Sequence, residues 1–174
     1  MSARIVLFVI APERFRDEEL AVPRAALTAA GHAVVVASTR AGEARGMLGA
    51  REIVTRTLAG ETAAAYDALV IIGGAGAPDH LWNSEPLRAI VRAMFAARKA
   101  VAAICLAPPV FARAGILMGR RATTFPAPRA ILELKRGGAV IVEAPVVQDG
   151  TIVTANGPEA APAFGALLAT LLGP

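Results

Sequence analysis

The stretch Ala100-Val-Ala-Ala-Ile-Cys-Leu-Ala-Pro-Pro109 decides the architecture. Its first five residues are apolar throughout, as in a strand covered on both faces. The two prolines that follow suit the first turn of a helix. Cys105 stands at the junction. A residue there sits on a sharp strand-to-helix turn with its side chain raised above the sheet, the arrangement of a nucleophile elbow. Helix N-terminal amides and the helix dipole favour a thiolate and lower its pKa below the free value of about 8.5. The same residue also reads as a small hydrophobe buried in an apolar run.

Similar apolar runs recur on either side, at Ile5–Ile10, Val34–Ala37, Leu69–Ile72 and Val140–Val142. Helical patterns separate them. Leu87, Ile90, Val91, Met94 and Phe95 fall on one helical face, with Ser84 as N-cap and Pro86 in the first turn. A first helix is expected from Asp17 to Gly31, with a kink or restart at Pro23. A third follows Cys105 and ends at Gly115, and a fourth spans 128–136. The last follows Gly157-Pro158, with Phe164, Leu167, Leu168, Leu171 and Leu172 on one face. Asp149-Gly150 reads as a type I′ hairpin turn. Strand and helix in alternation predict one α/β domain over 1–174, with a doubly wound, mostly parallel sheet and helices on both faces. Ligands on such sheets bind beyond the carboxyl ends of the strands. Three places then matter: the loop after Ile10, the loop after Ile72, and Cys105.

Each has an ordinary reading beside a chemical one. Asp17-Glu18-Glu19 complement the dipole of the first helix. A carboxyl aimed at the Cys105 sulfur would do more, donating a hydrogen bond to the thiolate when protonated. The sequence leaves open which of the three points inward. Gly73-Gly74-Ala75-Gly76-Ala77 is a tight turn that can also present N–H groups to an oxyanion. It matches neither a dinucleotide fingerprint nor a Walker loop.

Composition narrows the function classes. The 174 residues are 55% hydrophobic and 18% charged, which excludes a disordered chain. No apolar run reaches the roughly 18 residues of a membrane span, and no signal-peptide pattern is read at the N-terminus. One cysteine permits no internal disulfide, and a cytoplasmic location is expected. The net charge is +4, but the basic residues are dispersed and aromatics are 5%, so no nucleic-acid role is expected. His32 and His80 are the only histidines and have no Cys or His at ligand spacing, so neither metal nor cofactor is expected. His32 reads as a surface residue.

Taken in order, several segments resemble the ThiJ/PfpI superfamily, whose fold is that of class I glutamine amidotransferases. They are Phe15-Arg-Asp-Glu-Glu-Leu-Ala-Val-Pro23, Ala30-Gly-His-Ala-Val34, Asp67-Ala-Leu-Val-Ile-Ile-Gly-Gly74, Ala103-Ile-Cys-Leu-Ala-Pro108, Ala114-Gly-Ile-Leu-Met-Gly-Arg-Arg-Ala-Thr-Thr124 and Asp149-Gly-Thr-Ile-Val-Thr154. The resemblance implies a flavodoxin-like sandwich and a nucleophile at Cys105. It selects Glu19, four residues before Pro23, as the carboxyl that meets the sulfur. It implies an oxyanion pocket at the backbone N–H groups of Gly74 and Leu106, and a homodimer or higher homo-oligomer.

Two departures stand out. Leu106 occupies the position where PfpI-like members carry a histidine, and Phe125 the position of the histidine in a Thr-Thr-His-Pro segment. The usual general base is therefore missing. One expectation is an enzyme of glyoxalase, deglycase or hydrolase type on a small carbonyl electrophile, with peptidase activity disfavoured. A second is a cysteine redox sensor or stress-response binding protein meeting an oxidant. A third is a scaffold with an inherited cysteine.

Overall fold

Strand β1 (Ile5–Val9) divides its side chains between two cores: Leu7 and Val9 enter one, Val6 and Phe8 the other. That division follows from the period of two along a strand. It requires cover on both faces, as the unbroken apolar run implies. The computed structural model describes residues 3–173. After β1 come β2 (Glu13–Phe15), α1 (Asp17–Ala29), β3 (Ala33–Ser38), β4 (Gly42–Gly46), β5 (Arg51–Val54) and β6 (Arg56–Thr57). The central part holds β7 (Ala68–Ile71), α2 (Ala77–His80), α3 (Glu85–Ala96), β8 (Ala100–Ile104) and α4 (Pro109–Ala114). The chain continues through β9 (Arg121–Ala122), α5 (Pro128–Arg136), β10 (Val140–Ile141), β11 (Val146–Asp149), β12 (Ile152–Ala155) and α6 (Ala161–Leu172).

Seven strands form the main sheet in the order β11-β12-β8-β7-β1-β3-β6. All pairs are parallel except β11 with β12. Phe164 and Leu168 of α6 and Leu20 and Leu27 of α1 fill one core. Leu87, Val91 and Met94 of α3, Val110 of α4 and Leu134 of α5 fill the other. This is the α/β sandwich expected. From β1 the chain passes to β3 on one side and later returns to β7 on the other. The strand order thus reverses beside β1, and the crevice at the carboxyl ends of β1 and β7 is where such sheets bind ligands.

Ser84 caps α3 as read from the sequence, its hydroxyl accepting from Leu87 N–H at 3.4 Å. Replacing Ser84 by Ala is expected to lower stability by about 1 kcal/mol. Urea unfolding checks this, and an unchanged midpoint would remove the cap from the account.

Several local readings are corrected. Helix α1 runs through Pro23 without a restart, and Pro23 packs against Gly165 of α6. The run at 140–142 is not a strand of the main sheet. Val140 and Ile141 pair with β9 in a two-stranded ribbon, with Val140 52% exposed. Its place in the sheet is taken by β12, which lies parallel to β8. The hairpin turn is Gly150-Thr151, since Asp149 still pairs with Ile152. Only Gly150 has positive φ, 60°, as the first central position of a type II′ turn requires. On α6 the buried face is Ala161, Phe164, Gly165 and Leu168, and Leu171 is exposed. His32 is buried, not a surface residue. Its Nδ1 accepts from Arg4 N–H at 3.3 Å where β1 and β3 begin, because the two strand starts enclose it.

Candidate functional site

Cys105 lies one residue beyond β8, and its φ is +62°. A non-glycine residue in that region carries roughly 1–3 kcal/mol of strain, which the surrounding structure must hold. The holders are visible. Cys105 N–H donates to Ala155 O at 2.9 Å, fixing the elbow to the end of β12. Its carbonyl accepts from Phe125 N–H at 2.9 Å and from the Thr124 hydroxyl at 2.8 Å. The residue is 5% exposed. The helix expected to begin at the cysteine begins only at Pro109 and is six residues long. The dipole of α4 is therefore not what surrounds the sulfur.

What surrounds it is Glu19 and two backbone N–H groups. Glu19, in the first turn of α1, is fully buried. Its Oε2 accepts from Gly73 N–H at 2.9 Å. Its Oε1 is buried without a hydrogen-bond partner, and the carboxyl as a whole interacts with the Cys105 thiol. Gly74 and Leu106 direct their N–H groups at the sulfur. Gly73 and Gly74 permit this approach. A Cβ on Gly73 would lie 2.6 Å from Ile104 O and 2.7 Å from Cys105 Cβ. Gly74 has φ +103°, and its carbon packs on the backbone of Phe15 and Arg16.

Burial raises both acids. Glu19 is pushed up to about 7, against hydrogen bonds that pull it down. Cys105 is pushed up to about 12 by burial, then by the Glu19 charge, against the Gly74 and Leu106 N–H groups. The expected lowering of the thiol is thus reversed while Glu19 is ionised. The pair behaves as one unit, holding a single proton between about 7 and about 12. When that proton is on Glu19, the charge is on sulfur, with Gly74 and Leu106 N–H groups to receive it.

The other two acids go elsewhere. Asp17 accepts from Leu48 N–H at 3.2 Å and Ala50 N–H at 2.9 Å, tying α1 to the β4–β5 hairpin. Glu18 holds Arg16 through two hydrogen bonds of 2.8 and 3.0 Å. Sequence reading passed over Arg16, whose charge acts on both Glu19 and Cys105. A cation placed just before an acidic helix start was the signal available. Neither histidine joins the pair. His32 is at the opposite ends of the strands, and His80 closes α2 near Thr39, Asn83 and Ser84. Among the described residues no group of three His, Cys, Asp or Glu could hold a metal ion. A groove of about 750 Å³ runs past Thr123, Thr124, Pro126 and Asn156, alongside the residues that grip the Cys105 carbonyl.

The chain is similar to several known proteins in fold and sequence. A thiJ/PfpI domain protein from Brachyspira murdochii superposes with a TM-score of 0.92 at 28% identity, covering 99% of this chain and 98% of that one. An uncharacterized protein from Methanocaldococcus jannaschii, MJ0967, is 48% identical over 92% of this chain and 78% of its own. Deglycase PH1704 from Pyrococcus horikoshii is 37% identical over 88% of this chain and 90% of its own. The DJ-1/PfpI family model matches residues 4–171, and the chain belongs to that family.

Proposed function

We propose that the chain is a cysteine-dependent enzyme acting on a small carbonyl electrophile, a 2-oxoaldehyde or its adduct with an amine or thiol. One observation carries the reading: the buried Glu19 carboxyl and the Cys105 thiol face each other beneath the Gly74 and Leu106 N–H groups. The deglycase name of the Pyrococcus relative supports the same substrate class. In this reading the Cys105 sulfur adds to the carbonyl carbon and the C=O π pair moves to oxygen. Gly74 and Leu106 N–H groups hold the oxyanion. Glu19 carries the proton between sulfur and the adduct oxygen. With Cys105 5% exposed as a residue, only a small electrophile is expected to reach its sulfur.

A positioned histidine base typically contributes about 10²–10⁴-fold, so turnover is expected to be slow. Peptide hydrolysis is disfavoured, because the leaving amine needs an acid that Leu106 and Phe125 cannot supply. Methylglyoxal consumption should fall to the uncatalysed rate in Cys105→Ser. Equal consumption by that variant would end the enzyme reading.

The second reading is a redox sensor, favoured by the lone cysteine, which has no second thiol to resolve a sulfenic acid. Two equivalents of peroxide would take Cys105 to the sulfinate, each reduced to water. Mass spectrometry after mild peroxide, with no carbonyl turnover, would favour it. We also infer a cytoplasmic homo-oligomer. Leu48 at 63% and Ile53 at 69% exposure offer apolar area for assembly. Light scattering that returned a monomer would remove the assembly.

A further inference from the structure

Two apolar side chains stand beside the nucleophile without being absorbed into the core. Leu106 follows Cys105 directly and is half-buried. Phe125 is 40% exposed, although its backbone N–H donates to Cys105 O at 2.9 Å. That hydrogen bond keeps the α-carbons of residues 105 and 125 within about 7 Å of each other. The ring lies against Gly157: its Cδ2 and Cε2 are 3.4 and 3.7 Å from where a Cβ on that glycine would stand. Gly157 is two residues past Ala155, whose carbonyl takes Cys105 N–H. Phe125 therefore spans from the carbonyl side of the cysteine to the segment that holds its N–H.

Leu106 is fixed as firmly. The peptide plane before it is held at Cys105 O by Phe125 and Thr124, and the plane after it at Leu106 O by Trp82 Nε1–H, 2.6 Å away. Two held planes set φ and ψ at the α-carbon between them, and so the direction of its side chain. A lone exposed apolar residue means little. Two of them, both fixed by the hydrogen bonds of the elbow, form a surface for a ligand held at the sulfur. The charges nearby do not favour an anion there. Arg16, whose charge acts on the thiol, already gives Nε and Nη2 to the two oxygens of Glu18. Glu19 and Cys105 contribute negative charge of their own, which repels an anionic substituent.

We propose that Phe125 and Leu106 form an apolar subsite that selects the substituent on the carbonyl: the preferred electrophile carries an alkyl or aryl group rather than a charged or hydroxylated one. Binding takes that substituent and both side chains out of water together. The proposal rests on the reading of Cys105 as the reactive group.

The test alkylates the full chain with two reagents that share one reacting carbon, iodoacetamide and its N-phenyl derivative, iodoacetanilide. Each rate is divided by the rate with glutathione, which removes the intrinsic difference between the reagents. Iodoacetanilide is expected to be favoured about tenfold at Cys105, the low end of what added apolar contact supplies. Phe125→Ala should bring the preference close to one, and Phe125→Leu should keep less than half of it. Leu132→Ala, which trims another exposed apolar side chain, on α5, should keep all of it. Equal normalised rates in the parent would overturn the proposal, as would a full preference surviving in Phe125→Ala. Should Phe125→Ala fail to fold, an undiminished preference in Phe125→Leu overturns it instead. Failure of the enzyme reading alone looks different: methylglyoxal is not consumed, while an iodoacetanilide preference lost in Phe125→Ala still supports the subsite. If neither reagent labels the folded chain, both readings fall.

Discussion

Replacing Glu19 by Gln is expected to make the folded chain more stable above neutral pH and to leave it nearly unchanged below pH 4.5. The reason is proton linkage. In the unfolded chain Glu19 ionises near 4.5, whereas in the fold burial holds its proton up to about 7. Between those values the folded state binds more protons, so stability falls as pH rises through this window and stays lower above it. A shift of that size corresponds to about 3 kcal/mol. Gln keeps a carbonyl oxygen for Gly73 N–H and has no charge to bury, so it escapes the loss. Urea unfolding at pH 4.5 and pH 8 measures the difference. If the parent and Glu19→Gln keep the same stability gap at both values, Glu19 does not carry a raised pKa. The same substitution bears on function. Alkylation of Cys105 in the parent should show a step near pH 7, where the pair releases its first proton. Glu19→Gln should lack that step, and its persistence would separate the thiol from the carboxyl.

A second large effect is expected at Gly73. In Gly73→Ala the new methyl falls 2.6 Å from Ile104 O, 2.7 Å from Cys105 Cβ and 2.8 Å from Leu106 N. Those neighbours are the elbow itself, two of the three being backbone atoms, so none can swing aside. Overpacking of this kind destabilises by about 3 kcal/mol. The relief available is to push the elbow away from β7, which would carry the Leu106 N–H off the sulfur. Gly73→Ala should therefore lower the urea midpoint and abolish the pH step in alkylation together. Gly31→Ala is the comparison: it has positive φ, +89°, but nothing within 4 Å, so only about 1 kcal/mol is lost and the thiol is untouched. A Gly73→Ala chain with parental stability would show that the two strand ends are not as tightly apposed as described.

Much of this was present in the chain's own chemistry. The runs Ile5–Ile10, Leu69–Ile72 and Val101–Ile104 are apolar on both faces, and only a sheet covered twice can use them. Ser84, Pro86 and Gly115 mark helix boundaries by local backbone preference, which needs no tertiary partner. The Gly-rich turn and the cysteine at the end of a strand were legible for the same reason. The assignment of Glu19 rested on family resemblance, because Asp17, Glu18 and Glu19 are alike as residues and differ only in direction along the helix.

Tertiary structure decided the rest. Glu19 faces the sulfur, while Asp17 reaches the β4–β5 hairpin and Glu18 holds Arg16. Whether 140–142 or 152–155 joins the sheet depended on which run finds β8, a pairing that local propensity does not specify. The thiol's environment was misjudged from sequence because a helix start was read at Cys105. The fold begins that helix four residues later and gives the sulfur a buried carboxyl as neighbour. Trp82 is an ordinary core residue in the sequence. Its hydrogen bond to Leu106 exists only because α3, α4 and β8 bring residues 24 positions apart into contact. Local sequence determines which residues turn, cap and alternate. Which acid meets the thiol, and what that does to both protons, is set by burial and long-range contact.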